Sequence, residues 1–200
     1  MRILLATTNE GKLREYRRLL ADVPDLELET MGALGVPVEV IEDRDTFSDN
    51  ARKKAIEIAA VARMPCLADD SGLEVDALSG RPGVHSARYA GESATDAENN
   101  RKLLDALHDV PDAQRTARFR CAIAVVDVDG CELALVEGTC EGRIGREPKG
   151  IHGFGYDPLF VPEGFTQTIA ELGPETKNQI SHRAKAAAKL VPVLRQLRKP

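Results

Sequence analysis

The sequence predicts an α/β fold, in which helices pack on a sheet. Residues 2–31 read as a short apolar strand, a helix with apolar positions at helical spacing, and a second strand. The segment from Arg118 to Val128 alternates apolar and polar residues, Asp129-Gly130 supplies a turn, and residues 132–144 return as a partner strand, which is typical of a β-hairpin. Apolar stripes at helical spacing recur near residues 96–107 and 184–194. Strands and helices therefore occur along the whole sequence, and no linker sequence divides it into separate domains.

Composition limits the functional classes. The chain has 200 residues, of which 42% are hydrophobic and 30% are charged, as in an ordinary globular protein. Its net charge of −5 provides no broad basic surface, so we expect neither a nucleic-acid nor a membrane partner. No apolar run reaches membrane-spanning length, and no secretory leader pattern is present. We expect a single domain over residues 1–200. Because the net charge is negative, an anionic ligand would need cations that are concentrated at its binding site.

The cysteines indicate a reducing compartment. They lie in strand-like sequence and form no C-x-x-C pair: Cys66, Cys121, Cys131 and Cys140. This pattern favours buried free thiols over disulfides or zinc ligands. We therefore expect a cytoplasmic protein.

The first strand, residues 2–6, leads into Thr7-Thr8-Asn9-Glu10-Gly11-Lys12 and a helix that runs to about Val23. Backbone N–H groups at a helix start can bind an anion, and the charge of Lys12 adds to that attraction. The segment is not a Walker A loop, because Leu13 stands where Ser or Thr would follow the lysine. The alternative is that Thr8 or Asn9 merely caps the helix and Lys12 is solvated.

Two more strands precede the second helix. Residues 26–31 read as a strand, and residues 36–41 as a possible third one that ends at Glu42. The helix then covers about residues 46–62, with Lys54 one turn after Asn50 on the same face. Glu42 is a candidate metal ligand if it meets the aspartates that follow, although acidic residues before a helix usually only complement its dipole.

Two aspartates follow the next apolar segment. Residues 64–68 predict a short strand, and Ser71 and Gly72 are expected to break it directly after Asp69 and Asp70. Ligands bind at the C-terminal ends of strands in open α/β sheets. Neighbouring carboxylates repel each other unless a cation or a shared proton relieves them. An Asx-type turn without a ligand is the alternative.

The second half begins with a loop, continues through a helix and ends in turns. Residues 80–91 hold glycine, proline and arginine without a hydrophobic period, which fits an ordered loop over a cleft. A helix is expected at 96–107, followed by hairpin strands at 118–128 and 132–144. This hairpin could extend from the body and pair with a second subunit.

A turn-rich segment at 150–158 precedes a strand at 159–161. Its glycines allow close approach of a ligand, and Phe154 and Tyr156 offer aromatic faces, although such aromatics can simply fill a loop. The last helix begins at Ser181-His182-Arg183, with a kink expected at Pro192.

Five motifs in this order make the chain resemble the inosine/xanthosine triphosphate pyrophosphatases, a family of non-canonical purine nucleoside triphosphate pyrophosphatases. The motifs are Thr7-Thr8-Asn9-Glu10-Gly11-Lys12, Ala68-Asp69-Asp70-Ser71-Gly72-Leu73, Arg81-Pro82-Gly83, Phe154-Gly155-Tyr156-Asp157 and Ser181-His182-Arg183. Each is weak alone, but together they cover essentially the whole chain.

The resemblance implies a mixed, elongated and twisted sheet with flanking helices, and two lobes around a central active-site cleft. It implies a homodimer and Mg²⁺-dependent hydrolysis of ITP, dITP and XTP to the monophosphate and pyrophosphate. Such an enzyme removes these nucleotides before they enter DNA or RNA.

The resemblance also assigns roles to residues. Glu42 and Asp70 correspond to the magnesium ligands, and Asp70 to the base that activates water. These two roles of Asp70 compete, because a carboxylate bound tightly to Mg²⁺ is a poor base. Asp69 is left as a ligand or as support for its neighbour. The implied substrate-binding residues are Thr7, Thr8, Asn9, Glu10, Gly11, Lys12, Lys54, Ser71, Phe154, Gly155, Tyr156, Asp157, Lys177, His182 and Arg183.

Within that set, the lysines (Lys12, Lys54 and Lys177) would hold phosphates. Phe154 and Tyr156 would stack near the base or wall it, and Asp157 would accept a hydrogen bond from the purine. His182 and Arg183 would read the 6-oxo edge.

Two other functions fit parts of the pattern. A metal phosphatase or phosphotransferase could use an aspartate nucleophile, although the Asp69-Asp70-Ser71-Gly72 motif lacks the D-x-D spacing. A nucleotide-binding module could use the same residues without catalysis. Release of pyrophosphate, of orthophosphate or of neither from ITP separates the three.

Overall fold

The computed structural model describes residues 1–35, 38 and 40–197. Within them the helices and strands follow one another in the order expected for an α/β protein. In chain order they are β1 (Arg2–Leu5), α1 (Glu10–Leu19), β2 (Glu27–Thr30), α2 (Phe47–Ala62), β3 (Cys66–Val75), α3 (Asp96–Ala106), β4 (Thr116–Val126), β5 (Glu132–Ile144), β6 (Phe160–Pro162), α4 (Ile169–Ile180) and α5 (His182–Gln196).

The strands form a mixed sheet in the order β2-β1-β3-β4-β5-β6. β1 pairs in parallel with β2 and with β3, whereas β5 pairs antiparallel with β6. Leu4 lies opposite Cys66, and Leu5 lies opposite Leu67. β1 therefore ends beside the first half of β3, and the Thr7–Lys12 segment leaves the sheet there. The expectation of a mixed α/β sheet with flanking helices is confirmed.

The contacts divide the chain into two compact units. Unit 1 comprises the described residues of Met1–Asp70, Cys121–Gly138 and Arg183–Pro200, and unit 2 comprises Ser71–Arg120 and Thr139–His182. The single-domain assignment and the central cleft stay predictions. No helix in the described part of the chain is both long and apolar enough to cross a bilayer.

Each unit has its own hydrophobic core. In unit 1, Leu13 and Tyr16 of α1 and Leu190 of α5 pack in one cluster with Leu67 and Ile123 from the sheet. In unit 2, the cluster centres on strand residues and on the turn before β6. Phe119 and Phe160 lie there with ring centroids 4.7 Å apart.

The expected break at Ser71-Gly72 is wrong, because β3 continues through both residues to Val75. Gly72 is not among the glycines with positive φ, so it takes an extended conformation that any residue can adopt. Leu73 and Val75 beyond it are fully buried, and their burial favours continuation of the strand over a turn. Asp69 and Asp70 therefore lie inside β3 rather than at its end.

Other boundaries differ less. The first helix ends at Leu19 instead of near Val23. The third strand proposed for 36–41 falls partly on residues 36, 37 and 39, which lie outside the described residues. Helix α4 was not expected, because Gly173 and Pro174 interrupt its pattern. Three cysteines are buried as expected, whereas Cys131 is exposed beside the hairpin turn.

Candidate functional site

The segment after β1 forms a capped helix start in unit 1. The Asn9 N–H donates to Thr7 Oγ1 at 3.1 Å, and the Lys12 N–H donates to Asn9 Oδ1 at 3.0 Å. Asn9 is therefore the N-cap of α1, as the capping alternative requires. Anion binding by this segment stays a prediction. Thr8, Glu10 and Gly11 flank this cap. Thr8 and Glu10 are exposed.

Asp69 lies in the middle of a cluster of cations. Its carboxylate accepts from Lys12 Nζ at 3.1 Å and from Arg183 Nε and Nη2 at 3.3 and 3.1 Å. The side chain is 1% exposed. Burial by itself raises the pKa of Asp69, but Lys12, Arg183 and Lys54 together hold that pKa well below its ordinary value. Asp69 is therefore ionised at any physiological pH.

Asp70 has different surroundings, because successive side chains of a strand point to opposite faces. Its Oδ2 accepts from Asn50 Nδ2 at 3.0 Å, and the residue is 4% exposed. Burial, followed by the negative charge of Glu42, raises the pKa of Asp70 to about 6, against the opposing effect of Lys12 and Lys54. Such a carboxyl exchanges a proton near neutral pH.

Helix α2 holds Glu42 near this carboxylate. Lys54 Nζ forms a close ion pair with Glu42 and donates to the Asp69 carbonyl oxygen at 3.1 Å. Burial lowers the pKa of Lys54, but the neighbouring carboxylates outweigh this and raise the pKa overall. Asn50, one turn earlier, bonds the backbone N–H and C=O of Arg44 at 2.9 and 3.2 Å. One helix face thus fixes both the segment that carries Glu42 and the Asp70 side chain.

Arg183 lies in the same unit as Asp69 and is 1% exposed. Its Nη1 donates to Glu15 Oε2 at 2.6 Å, and its guanidinium lies 5.9 Å from the ring centroid of Tyr16. Burial opposes its charge, but Asp69 and then Glu15 keep the pKa of Arg183 well above its ordinary value. Its role in reading the purine stays a prediction.

Unit 2 carries the glycine-rich turn. Asp157 Oδ2 accepts from the Phe154 N–H at 2.9 Å and from Lys177 Nζ at 2.5 Å. The same Nζ lies 4.3 Å from the centroid of the Phe154 ring. Gly153 has φ +82°, and a Cβ there would lie 2.0 Å from Asp157 Oδ2. The turn requires glycine at that position, and Lys177 contacts residues predicted to bind the base.

Other predicted residues of unit 2 have structural contacts. Tyr156 is 4% exposed in the hydrophobic core, and its hydroxyl donates to the Ser86 carbonyl oxygen at 2.8 Å. His182 stacks on Phe119 with ring centroids 4.7 Å apart and planes 15° apart. Ser71 is half-buried in β3.

The structure brings together two groups of predicted residues, each within one unit. Lys12, Glu42, Lys54, Asp70 and Arg183 lie in unit 1, and Phe154, Asp157 and Lys177 lie in unit 2.

Sequence reasoning did not assign a role in the site to Asn50 or Glu15, although both contact predicted site residues. The only signal for Asn50 was its position one turn before Lys54. Glu15 lies three residues after Lys12, which places both on one face of α1.

Comparison with known proteins gives consistent matches over the whole chain. A sequence profile of the Ham1 family matches residues 3–193. A dITP/XTP pyrophosphatase from Desulforamulus reducens is 51% identical over 197 residues, which are 98% of this chain and 97% of that protein. One from Geobacillus kaustophilus is 52% identical over 188 residues, covering 94% and 91%. The structure of a HAM1 protein from Coxiella burnetii matches with a TM-score of 0.88 and 42% identity, covering 98% and 99% of the two chains.

Proposed function

Because this chain belongs to the Ham1 family, we propose that it hydrolyses ITP, dITP and XTP to the nucleoside monophosphate and pyrophosphate. This reaction would remove these nucleotides before their incorporation into DNA or RNA. Relatives named dITP/XTP pyrophosphatase align with nearly the full chain at about half identity. The single observation that carries the proposal is the carboxylate pair Glu42 and Asp70 beside Lys12 and Lys54.

The charge of the substrate explains why such a cluster is needed. A triphosphate is strongly anionic, and cleavage between the α- and β-phosphorus adds charge to the departing pyrophosphate. Lys12 and Lys54 supply positive charge in a protein of net charge −5. The start of α1 adds N–H groups at Glu10 and Gly11, the first two helical positions, which have no intrahelical acceptor. These groups would hold phosphate oxygens.

The residues present fit a magnesium ion. Burial and then the negative charge of Glu42 raise the pKa of Asp70 to about 6, and a divalent cation would relieve the repulsion between the two carboxylates. No group of three or more potential ligands occurs among the described residues. Mg²⁺ needs only one or two carboxylates, since water and substrate phosphates complete its octahedron. When bound, the ion would neutralise charge on the phosphates.

We assign the general base to Asp70. A buried carboxyl with a pKa near 6 is ionised at neutral pH, yet basic enough to take a proton from water. Asn50 holds one oxygen of this carboxylate through a 3.0 Å bond. The attacking water gives its proton to Asp70 as its oxygen bonds to the α-phosphorus, and pyrophosphate leaves. Competition between the base and ligand roles is relieved if the two oxygens of Asp70 divide them.

For the base of the nucleotide, we assign stacking to Phe154. It is more exposed than Tyr156, whose ring is packed in the core. Asp157 would accept from the purine, while His182 and Arg183 would donate to its 6-oxo group. An adenine amino group facing these donors leaves both sides unpaired, at about 1–3 kcal/mol for each group. This mismatch would exclude ATP.

We also propose a homodimer that works in the cytoplasm. The resemblance to the family and the long β4–β5 hairpin support the dimer, and the three buried thiols support a reducing compartment. Light scattering coupled to size-exclusion chromatography should give about 43 kDa, twice the 21.7 kDa of one chain. A mass of one chain at micromolar concentration would contradict the dimer.

The test of the proposed function is a product assay in ¹⁸O-water with ITP, dITP, XTP, ATP and GTP, with Mg²⁺ or with EDTA. We expect pyrophosphate as a product and ¹⁸O in the monophosphate. ITP, dITP and XTP should be preferred over ATP and GTP, and no nucleotide should turn over in EDTA. Orthophosphate with an acid-stable but hydroxylamine-sensitive phospho-aspartate would instead identify a phosphotransferase. Tight nucleotide binding without any product would identify a binding module.

A further inference from the structure

We propose that Asp96 is a positioning residue for base recognition, which it supports by holding Gly155 in the Phe154–Asp157 turn. This inference rests on the proposed function, since it assumes that the turn binds the purine. Asp96 is the first residue of α3, and its Oδ2 accepts a hydrogen bond from the Gly155 N–H.

The contact between α3 and the turn involves both peptide groups of one residue. The Gly155 N–H donates to Asp96 Oδ2 at 2.6 Å, and the Gly155 carbonyl oxygen accepts from Asn100 Nδ2 at 2.8 Å. Asn100 Nδ2 also donates to the Asp96 carbonyl oxygen at 2.8 Å, so the two side chains act from one helical turn. A hydrogen bond to a charged acceptor is shorter and stronger than one between neutral groups.

Gly155 is the point of the turn that most needs such support. Its φ of +61° lies in the left-handed region, and a glycine has more conformational freedom to lose than any other residue. Phe154 on one side is held by its N–H bond to Asp157, and Tyr156 on the other by its bond to Ser86. With Gly155 fixed as well, the ring of Phe154 is presented in one place before a nucleotide arrives. Preorganisation of this kind improves affinity because the ligand need not order the loop.

The start of α3 does not itself require the Asp96 carboxylate. Thr95 and Glu98 already form a reciprocal capping box, with the Thr95 N–H donating to Glu98 Oε2 at 2.8 Å and the Glu98 N–H donating to Thr95 Oγ1 at 3.3 Å. The Asp96 carboxylate is directed instead to Gly155. This separation of roles provides a matched control, since Thr95→Ala weakens the same helix start and leaves the contact with Gly155 in place.

The test compares wild type with Asp96→Ala, Asp96→Asn and Thr95→Ala. For each we would measure kcat and KM for dITP and ATP, the inhibition constant of tripolyphosphate, which has no base, and the melting temperature. In Asp96→Ala we expect KM for dITP to rise about tenfold and the dITP/ATP ratio of kcat/KM to fall, with tripolyphosphate inhibition unchanged. Asp96→Asn keeps an acceptor oxygen for the Gly155 N–H, so its KM for dITP and its dITP/ATP ratio should lie close to the wild-type values. Thr95→Ala should lower the melting temperature and leave the dITP/ATP ratio at the wild-type value.

Three results would overturn the inference. The first is an Asp96→Ala enzyme with wild-type KM and dITP/ATP ratio, and the second is one in which tripolyphosphate inhibition weakens as much as dITP binding. The third is an equal loss of the dITP/ATP ratio in Thr95→Ala, which would assign the effect to helix stability. A wild-type protein that releases no pyrophosphate from dITP or XTP would instead overturn the proposed function. The two failures are distinguishable, because one concerns the variants and the other the parent protein.

Discussion

Asp69 and Asp70 are neighbours in β3, yet their carboxylates have opposite electrostatic surroundings. Asp69 is bonded by Lys12 and Arg183, and its pKa lies well below the ordinary value. Asp70 is bonded by the neutral Asn50 and faces the charge of Glu42, so its pKa rises to about 6. Both side chains are almost fully buried. The difference therefore comes from their partners and not from their exposure.

The contrast is between Asp69, whose ionised carboxylate stabilises the fold, and Asp70, whose ionised carboxylate destabilises it. A buried carboxylate with cationic partners contributes to stability while it is ionised. A carboxylate that is buried beside another carboxylate lowers stability when it is ionised. Such carboxylates are common in active sites. Strand alternation directs the two adjacent side chains to opposite faces, where they meet different partners.

The largest expected effect is on turnover. Asp70→Asn preserves the shape of the side chain but removes the basic oxygen, so kcat for dITP should fall by about 10²–10⁴-fold. Steady-state pyrophosphate release at saturating Mg²⁺ measures this loss, and circular dichroism checks the fold. Asp105→Asn, an exposed position on α3, serves as the control and should retain full activity. Activity near wild type in Asp70→Asn would remove Asp70 from the role of base.

The next effect is on stability at the neighbouring position. Asp69→Asn removes the charge that pairs with Lys12 and Arg183, and it leaves the buried Arg183 and the half-buried Lys12 less compensated. Breaking a buried ion pair from one side typically costs about 3–5 kcal/mol. The melting temperature at pH 8 should therefore fall sharply. A variant that melts with the wild type would mean that Lys12 and Arg183 find other acceptors without loss.

The third effect is a pH dependence. The pKa of Asp70 is about 6 in the fold against 3.8 when unperturbed, so the folded protein binds this proton more tightly than the unfolded chain. The destabilisation is absent below pH 3.8, grows as pH rises, and reaches its full value of about 3 kcal/mol above pH 6. In metal-free buffer, the stability of Asp70→Asn relative to wild type should thus increase between pH 4 and pH 7. Urea unfolding over that range measures it, and a constant difference would contradict the assigned pKa.

The smallest effect expected is on substrate affinity. Lys12→Ala should raise KM for dITP about tenfold with less change in kcat, because a lysine that holds phosphate binds the ground and transition states alike. Lys53→Ala is the matched control, since its Nζ contacts Asp43 and the Ile41 carbonyl oxygen and no predicted substrate residue. If Lys12→Ala binds dITP as tightly as wild type, the role of Lys12 is confined to neutralising Asp69.

Much of this architecture could be predicted locally. Helices α1, α2, α3 and α5 and the β4–β5 hairpin have regular hydrophobic periods, and their existence is confirmed. Local signals failed where breakers stand inside an element: Ser71 and Gly72 in β3, and Gly173 and Pro174 in α4. There, burial of flanking residues outweighs the local preference for a turn.

The candidate site was predictable as a set of residues but not as a set of environments. The motifs identified Asp69 and Asp70 together and left their division of labour open. That division depends on partners distant in the chain, since Arg183 is 114 residues from Asp69. Side-chain amides that support the site, such as Asn50 and Asn100, carry no motif of their own. Their roles follow from contacts that only the fold defines.

The most direct test of this contrast is the free energy of unfolding of wild type, Asp69→Asn and Asp70→Asn, measured together in urea at pH 8 with EDTA. Asp69→Asn should be less stable than wild type, because it removes a compensated charge. Asp70→Asn should be more stable, because it removes a carboxylate that the fold holds ionised against burial and the charge of Glu42. Changes of opposite sign support the account, and changes of the same sign in both variants contradict it.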